Sequence, residues 1–316
     1  MASTLHEAGE PAARRRTSAF TLTDFLLLCM ALIWGVNYAV VKFATGQFAP
    51  LAFNSLRVGI AAALLLAIVA LTGDRLPRGR DLVVLLGLGA LGNGLYQIFF
   101  IEGIARTRAG DAALLIAAAP ALMAIIGKLR GTEDVGARGA AGIALSLAGM
   151  ALVVLGGSAA AQDARAPLAG DLMILASALC WSVYSVYVKP YTERIAGLSL
   201  HAATMLGGAV PLLLVSIPTL ASMGWVHVSG GGWMALGYSA LLALCVAYLF
   251  WYRGVRMLGP TRAAMYANLQ PVIALGVAWA ALDERPHATQ LAGAALIMAG
   301  LVLTRLPSRH LDPPCE

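Results

Sequence analysis

The chain has 316 residues, 59% of them hydrophobic and only 12% charged, with a mean hydropathy of +0.78. That balance excludes a soluble globular domain and indicates a polytopic membrane protein. The net charge of +6 does not argue for a nucleic-acid partner, because the Lys and Arg residues gather in loops on one side of a bilayer once the apolar runs are placed.

Crossing about 30 Å of hydrocarbon takes roughly 20 helical residues, and ten apolar windows of that length begin near residues 22, 50, 81, 109, 136, 169, 199, 232, 260 and 287. A β-barrel would also satisfy its backbone in lipid, but these runs are long, continuous and rich in Ala and Leu. The expected fold class is therefore an all-α membrane protein with ten transmembrane helices.

A basic cytoplasmic tail, residues 1–21, precedes the first window, whose apolar run is longer than that of a signal peptide and is expected to be retained as a helix. In it Trp34, Asn37 and Tyr38 share one stripe at helical spacing, with Lys42 trailing. The second window holds Ser55, Leu56 and Arg57, the one charge well inside a span. Two readings of Arg57 stand: it grips a substrate carboxylate bidentately, or it is tied structurally to a carbonyl cluster or to Glu102 and Asp111. The third window aligns Asn93, Tyr96, Gln97 and Phe100 on one face, and Arg106 and Arg108 follow in a short outer loop. Pro120 falls mid-span in the fourth window, where it predicts a kink that frees the Ile116 carbonyl. The fifth carries Gly142 and Gly149, seven apart, a spacing that lets a neighbouring helix approach closely.

A linker, residues 158–168, leads to a second series. Trp181 and Tyr184 line a face of the sixth window, His201 sits in the seventh, and Tyr248, Trp251 and Tyr252 share a face of the eighth. Tyr266 and Gln270 share a face of the ninth, where Pro271 predicts a second kink that frees the Ala267 carbonyl. The tenth carries Gly293 and Gly300, and a tail follows at 306–316. Cys29, Cys180 and Cys245 lie in apolar windows and Cys315 in the tail, so they read as packers, not a disulfide framework.

The second series repeats the first. Gly103, Pro120, Glu133, Gly142 and Gly149 match Gly254, Pro271, Glu284, Gly293 and Gly300 at a constant offset of 151, while Asp24, Trp34 and Lys42 match Asp171, Trp181 and Lys189 at 147. The repeats are bounded as 22–157 and 169–305, with five windows each. An odd number of spans per copy inverts the second relative to the first, the architecture of secondary transporters with a site at the repeat interface. With both termini cytoplasmic, sixteen of the 22 Lys and Arg residues fall on the inner side, as the positive-inside rule requires.

The Trp34 helix with Lys42, the Ser55-Leu56-Arg57 stretch, the mid-helix Pro120 and Pro271, and the duplicated Glu133 and Glu284 before a Gly-rich final helix resemble the ten-helix EamA-type carriers of the drug/metabolite transporter superfamily. The resemblance spans residues 20 to 305. It implies metabolite export, often of amino acids, from a central cavity lined by helices one to four and six to nine.

Because lipid cannot satisfy Asn or Gln, the polar and aromatic stripes are expected to face one another across that cavity. The substrate-binding set is Trp34, Asn37, Tyr38, Arg57, Asn93, Tyr96, Gln97, Phe100, Trp181, Tyr184, Tyr248, Tyr252, Tyr266 and Gln270, with Pro120 and Pro271 as hinges. For Trp251 and Tyr252, near a cytoplasmic span end, interfacial anchoring is an equal reading. Rings with a few amides suit a small zwitterion, an aromatic or other hydrophobic amino acid among them.

The acids Asp24, Asp81, Glu102, Asp111, Asp171, Glu133 and Glu284 all lie at or near helix ends, so no midplane proton site is expected, and the carrier reads as a facilitator or as coupled through Glu102. The five His are too scattered for a zinc hydrolase and no nucleophile is marked, so no enzyme, cofactor or metal is expected. A channel for small solutes is the alternative. The expected partners are a small-molecule substrate and the bilayer, a homo-oligomer is compatible with the sequence, and the Ala, Gly and Arg bias suits a bacterial inner (plasma) membrane.

Overall fold

The computed structural model describes residues 20–131, 136–160, 167–258, 263 and 266–305, and the regular structure among them is helical. The helices are α1 (Leu22–Ala44), α2 (Pro50–Thr72), α3 (Gly79–Arg106), α4 (Ala109–Leu129), α5 (Ala137–Ala160), α6 (Pro167–Thr192), α7 (Gly197–Ser222), α8 (Gly230–Leu258), α9 (Gln270–Leu282) and α10 (Ala288–Arg305). The chain is a multi-pass membrane protein, in which eight helices, α1 to α8, are long and apolar enough to cross a bilayer. The described parts of α9 and α10 are shorter. The ninth window opens at residues 259–262 and 264–265, outside the described residues, as are Glu133, both chain ends and the linker core at 161–166.

Local chemistry sets the ends of these helices. The Thr21 hydroxyl accepts from the Asp24 N–H while the Asp24 carboxylate accepts from the Thr21 N–H, a reciprocal cap that starts α1. Pro50 opens α2, and Gly73 closes it at φ 75°, a left-handed conformation that only glycine adopts without strain.

Two helices depart from α geometry at matching places. In α3 the stretch Ala90–Leu95 is π-helical, and in α8 the stretch Tyr238–Val246 is. The 151 offset carries the first into the second. Two further helices are interrupted just ahead of their prolines. α4 breaks at Ala118, two residues before Pro120, and a turn at Asn268 and Leu269 precedes Pro271. A ring that lacks an N–H fits the first turn of the following segment and ends the one before it. In α4 the Ile116 carbonyl, expected to be freed, is approached by the Ala118 N–H within this break.

The glycines form close seams. A Cβ on Gly149 would lie 2.8 Å from the Gly293 carbonyl oxygen, and one on Gly300 would lie 2.5 Å from that of Gly142, so α5 and α10 meet backbone to backbone. Applying the repeat offset exchanges these two contacts. The same holds for Gly103 against Ile174 and Gly254 against Leu27, where an added Cβ would fall 2.9 and 2.5 Å from the branched side chain. These contacts draw α1 against α8 and α3 against α6, and the junction they frame is where the polar interior lies.

Candidate solute site

Nine rings from five helices form one array. Trp34 on α1 lies 5.1 Å from Tyr248 on α8, edge to face, and Tyr38 lies 5.8 Å from Phe100 on α3. Phe100 stacks on Tyr96 at 5.8 Å, Tyr96 is 5.5 Å from Trp181 on α6, and Trp181 is 5.4 Å from Tyr184 and 6.2 Å from Tyr248. His201 on α7 stacks on Tyr248 at 4.4 Å and is 5.6 Å from Tyr252. Tyr38, Phe100, Tyr184 and Tyr248 are buried, whereas Trp34, Tyr96, Trp181 and Tyr252 are half-buried and keep accessible surface among their neighbours.

The distorted stretch of α8 anchors the array. A π turn displaces carbonyls from their usual partners, and here side chains take them: Trp34 Nε1 donates to the Ala243 oxygen at 2.9 Å and His201 Nε2 contacts the Leu244 oxygen at 2.9 Å. Since a carbonyl can only accept, Nε2 carries the His201 proton, and Nδ1 is left as a buried acceptor with no donor. The Tyr238 hydroxyl, at the start of the same stretch, donates to the Ile33 oxygen on α1 at 2.9 Å.

Arg57 lies beside the rings and is 1% exposed. Nε donates to Asn54 Oδ1 at 2.8 Å, Nη1 to Ser239 Oγ at 2.9 Å and Nη2 to Gln97 Oε1 at 2.6 Å. Its guanidinium carbon stands 5.6 Å from the Phe53 and Phe100 ring centroids. Neither proposed acid is its partner: Glu102 pairs with Arg106 one turn away, and Asp111 accepts from Gln290 Nε2 at 2.9 Å. No carbonyl cluster among the described residues holds it either. Among the described residues the cation is met by three neutral side-chain oxygens, and of its five N–H donors the rest remain unspent.

The interior also holds under-satisfied amides. Asn93 is 1% exposed and lies in the π stretch of α3 within reach of the Tyr184 hydroxyl, yet its amide completes no well-formed hydrogen bond among the described residues, and neither does Asn37 Oδ1. Unpaired groups in such surroundings cost about 1–3 kcal/mol each. The Tyr184 hydroxyl itself reaches Thr204 at 3.4 Å.

Eleven of the fourteen residues expected at the site thus meet at this junction, and Asn37 is buried on α1 between Trp34 and Tyr38. The other two are placed elsewhere. Tyr266 donates its hydroxyl to Asp24 Oδ1 at 2.6 Å at the start of α1, and Gln270 begins α9 half-buried, with its backbone carbonyl against Gly35. Trp251 sits at the array's edge, 6.2 Å from Trp34. Sequence reading passed over Asn54, Ser239 and Thr204 and took His201 as a packed or water-contacting residue. Small hydroxyls and a lone amide in apolar helices carry no periodic signal, although His201 falls one turn from Thr204 and seven before Gly208 on the face where α7 meets α3.

Comparison with known proteins assigns this architecture. The model of the EamA-like transporter family matches twice, over residues 21–155 and 168–306. The chain belongs to the EamA-like transporter family. This transporter is 26% identical to the uncharacterized transporter YyaM of Bacillus subtilis over 88% of its own length and 91% of that protein. It is 28% identical to a probable terminal-alkyne amino-acid exporter of Streptantibioticus cattleyicolor, with the same two coverages. With the uncharacterized inner membrane transporter YedA of Escherichia coli the identity is 29% over 79% of each chain. A solved crystal structure superposes with a TM-score of 0.65 at 22% identity, covering 94% of this chain and 100% of that one, which is a likeness of fold.

Proposed function

We propose that this EamA-like transporter is a secondary carrier that exports small zwitterionic metabolites, amino acids with aromatic or other hydrophobic side chains foremost, by alternating access. Its ten spans form two inverted five-helix repeats with both termini in the cytoplasm of a bacterial cell and the body in the inner membrane. The doubled family match and the contacts exchanged by the repeat offset support the inverted arrangement. The name of the Streptantibioticus relative supports the substrate class.

The observation that carries the reading is Arg57 among neutral oxygens, bordered by the rings. A guanidinium in a low-dielectric interior that lacks a counter-charge is a receptor for a carboxylate, which its remaining donors bind bidentately. The half-buried rings take an apolar side chain, and their faces attract an ammonium group. Asn93, Asn37 and His201 Nδ1 supply the hydrogen-bonding groups that a solute would complete. The interrupted segments at Pro120 and Pro271 are the flex points about which the halves rock.

A panel of radiolabelled amino acids, assayed for efflux from cells expressing the protein, tests the proposal. Faster efflux of Phe, Tyr, Trp or Leu than from control cells supports it. A uniform absence of efflux for every zwitterion contradicts it.

A further inference from the structure

Asp24 and Asp171 occupy equivalent places in the two repeats, at opposite ends of the bundle, and they are satisfied very differently. The Asp24 carboxylate takes the Thr21 N–H at 2.8 Å, the Thr21 hydroxyl at 2.6 Å and the Tyr266 hydroxyl at 2.6 Å. Asp171 is fully buried. Its Oδ1 takes the Thr107 hydroxyl at 2.5 Å, and its Oδ2 has no partner.

Among the described residues no cation pairs with Asp171. Lys42, from α1, spends its ammonium on the carbonyls of Ile104, Ala105 and Thr107 at 3.0, 3.3 and 2.5 Å. On the α3–α4 turn, Arg106 pairs with Glu102, while Arg108 is drawn to His287 and the Arg285 carbonyl between α9 and α10. From α4, the second buried acid, Asp111, lies within electrostatic reach of the like charges of Asp171 and Glu284 and of the Arg108 guanidinium, and is held by Gln290. Glu284 accepts from the Ala109 and Gly110 N–H groups at 3.1 and 3.3 Å. Two acids of the same sign, one with a bare buried oxygen, are incompatible with full ionisation in a closed, water-free end.

We infer that Asp171 is a proton-binding site whose occupancy closes this end of the carrier: with a proton on Oδ2 the side chain is neutral and can stay buried against Thr107, and without it the carboxylate must be hydrated, which parts α6 from the α3–α4 turn. The ligand is a proton from the solution on that side, which by the proposed topology is the exterior. It returns to the same solution when the end reopens, so the site sets the balance of the two access states and carries no proton across. Thr107 is the mechanical link, because its hydroxyl holds Asp171 of α6 while its carbonyl holds Lys42 of α1.

This inference rests on the carrier reading for its meaning, but its test requires no solute. Purified protein in lipid vesicles is followed by infrared difference spectroscopy from mildly acidic to mildly alkaline pH, with hydrogen exchange of the peptide covering 103–111 recorded in parallel. The expected result is a protonated-carboxyl C=O band that disappears as pH rises, with the 103–111 amides exchanging at least tenfold faster, after correction for intrinsic rates, once it is gone. Asp171→Asn should abolish that band component and leave exchange slow at every pH, whereas Asp111→Asn should retain both responses. Thr107→Val, which keeps the acid and removes the donor that favours its charge, should hold the band to higher pH. A native spectrum without a titrating carboxyl, an unchanged spectrum in Asp171→Asn, or pH-independent exchange of 103–111 in the native protein would each overturn the inference. None of these results would touch the carrier reading, which is decided by solute efflux and counterflow.

Discussion

Arg57 on α2 donates through Nη2 to Oε1 of Gln97 on α3 at 2.6 Å, so a permanent charge in the bundle interior is tied to a neutral amide. Both helices belong to the first repeat, and Ser239 from α8 of the second closes the nest from across the junction. The cation is thereby held rigidly but is not neutralised. Arg57→Gln is expected to abolish transport with membrane abundance unchanged, because the variant removes a costly buried charge and leaves amides that can pair with one another. Arg57→Lys is expected to lose at least about tenfold in solute affinity, since an ammonium cannot reproduce the planar fork. Binding and immunoblot measurements on the same membranes check both. Loss of folded protein would make Arg57 a structural residue.

Asn93 should show stability and function moving in opposite directions. Its buried amide reaches the Tyr184 hydroxyl without completing a well-formed hydrogen bond, so Asn93→Leu is expected to raise thermal stability by up to about 1–3 kcal/mol, while transport falls at least tenfold. Thermal unfolding in detergent and an efflux assay check the pair of outcomes. An equal loss of both would place Asn93 in a satisfied structural contact.

The seam between α5 and α10 has no room for side chains. Gly149→Val and Gly300→Val, which force a Cβ against the backbone of the facing helix, are each expected to destabilise by about 1–3 kcal/mol or more. Because the repeat offset exchanges the two contacts, their effects should be of similar size. Melting temperatures of the two variants provide the comparison, and a silent substitution at either position would break the proposed symmetry.

His287 links stability to pH. Partial burial first, and the Arg108 guanidinium beside it second, hold its imidazole below the usual range. A base with a lowered folded-state pKa contributes fully above its unfolded value, and that contribution is lost as pH falls towards the folded value. The melting temperature should therefore decline as pH drops below about 6.5, and His287→Gln should shallow that decline. A pH profile identical to that of the native protein would remove His287 from the account.

Much of the bundle was legible in the sequence because its signals are periodic or duplicated. Stripes at helical spacing brought Trp34, Tyr96, Trp181 and Tyr248 to one array, and the paired glycines are the ones that meet in α5 and α10. What escaped depends on which group faces which across helices. The Arg57 partners Asn54 and Ser239 are small polar residues without a pattern, and the acids expected by nearness turn to Arg106 and Gln290. Position near helix ends suggested no midplane proton site. Yet Asp111 and Asp171 are buried, because the short α3–α4 turn and the start of α10 fold over them. The π stretch Tyr238–Val246 was also hidden, since its residues have ordinary helical composition while the Ala243 and Leu244 carbonyls are taken by Trp34 and His201 from other helices.

Counterflow in proteoliposomes tests the shared alternating site most directly. Vesicles loaded with unlabelled phenylalanine and diluted into trace labelled phenylalanine should accumulate the label transiently and saturably, with the overshoot abolished by Arg57→Gln and diminished by Tyr248→Ala. Monotonic, non-saturable equilibration of the label, unaffected by either substitution, would contradict the account and mark the protein as an open pore.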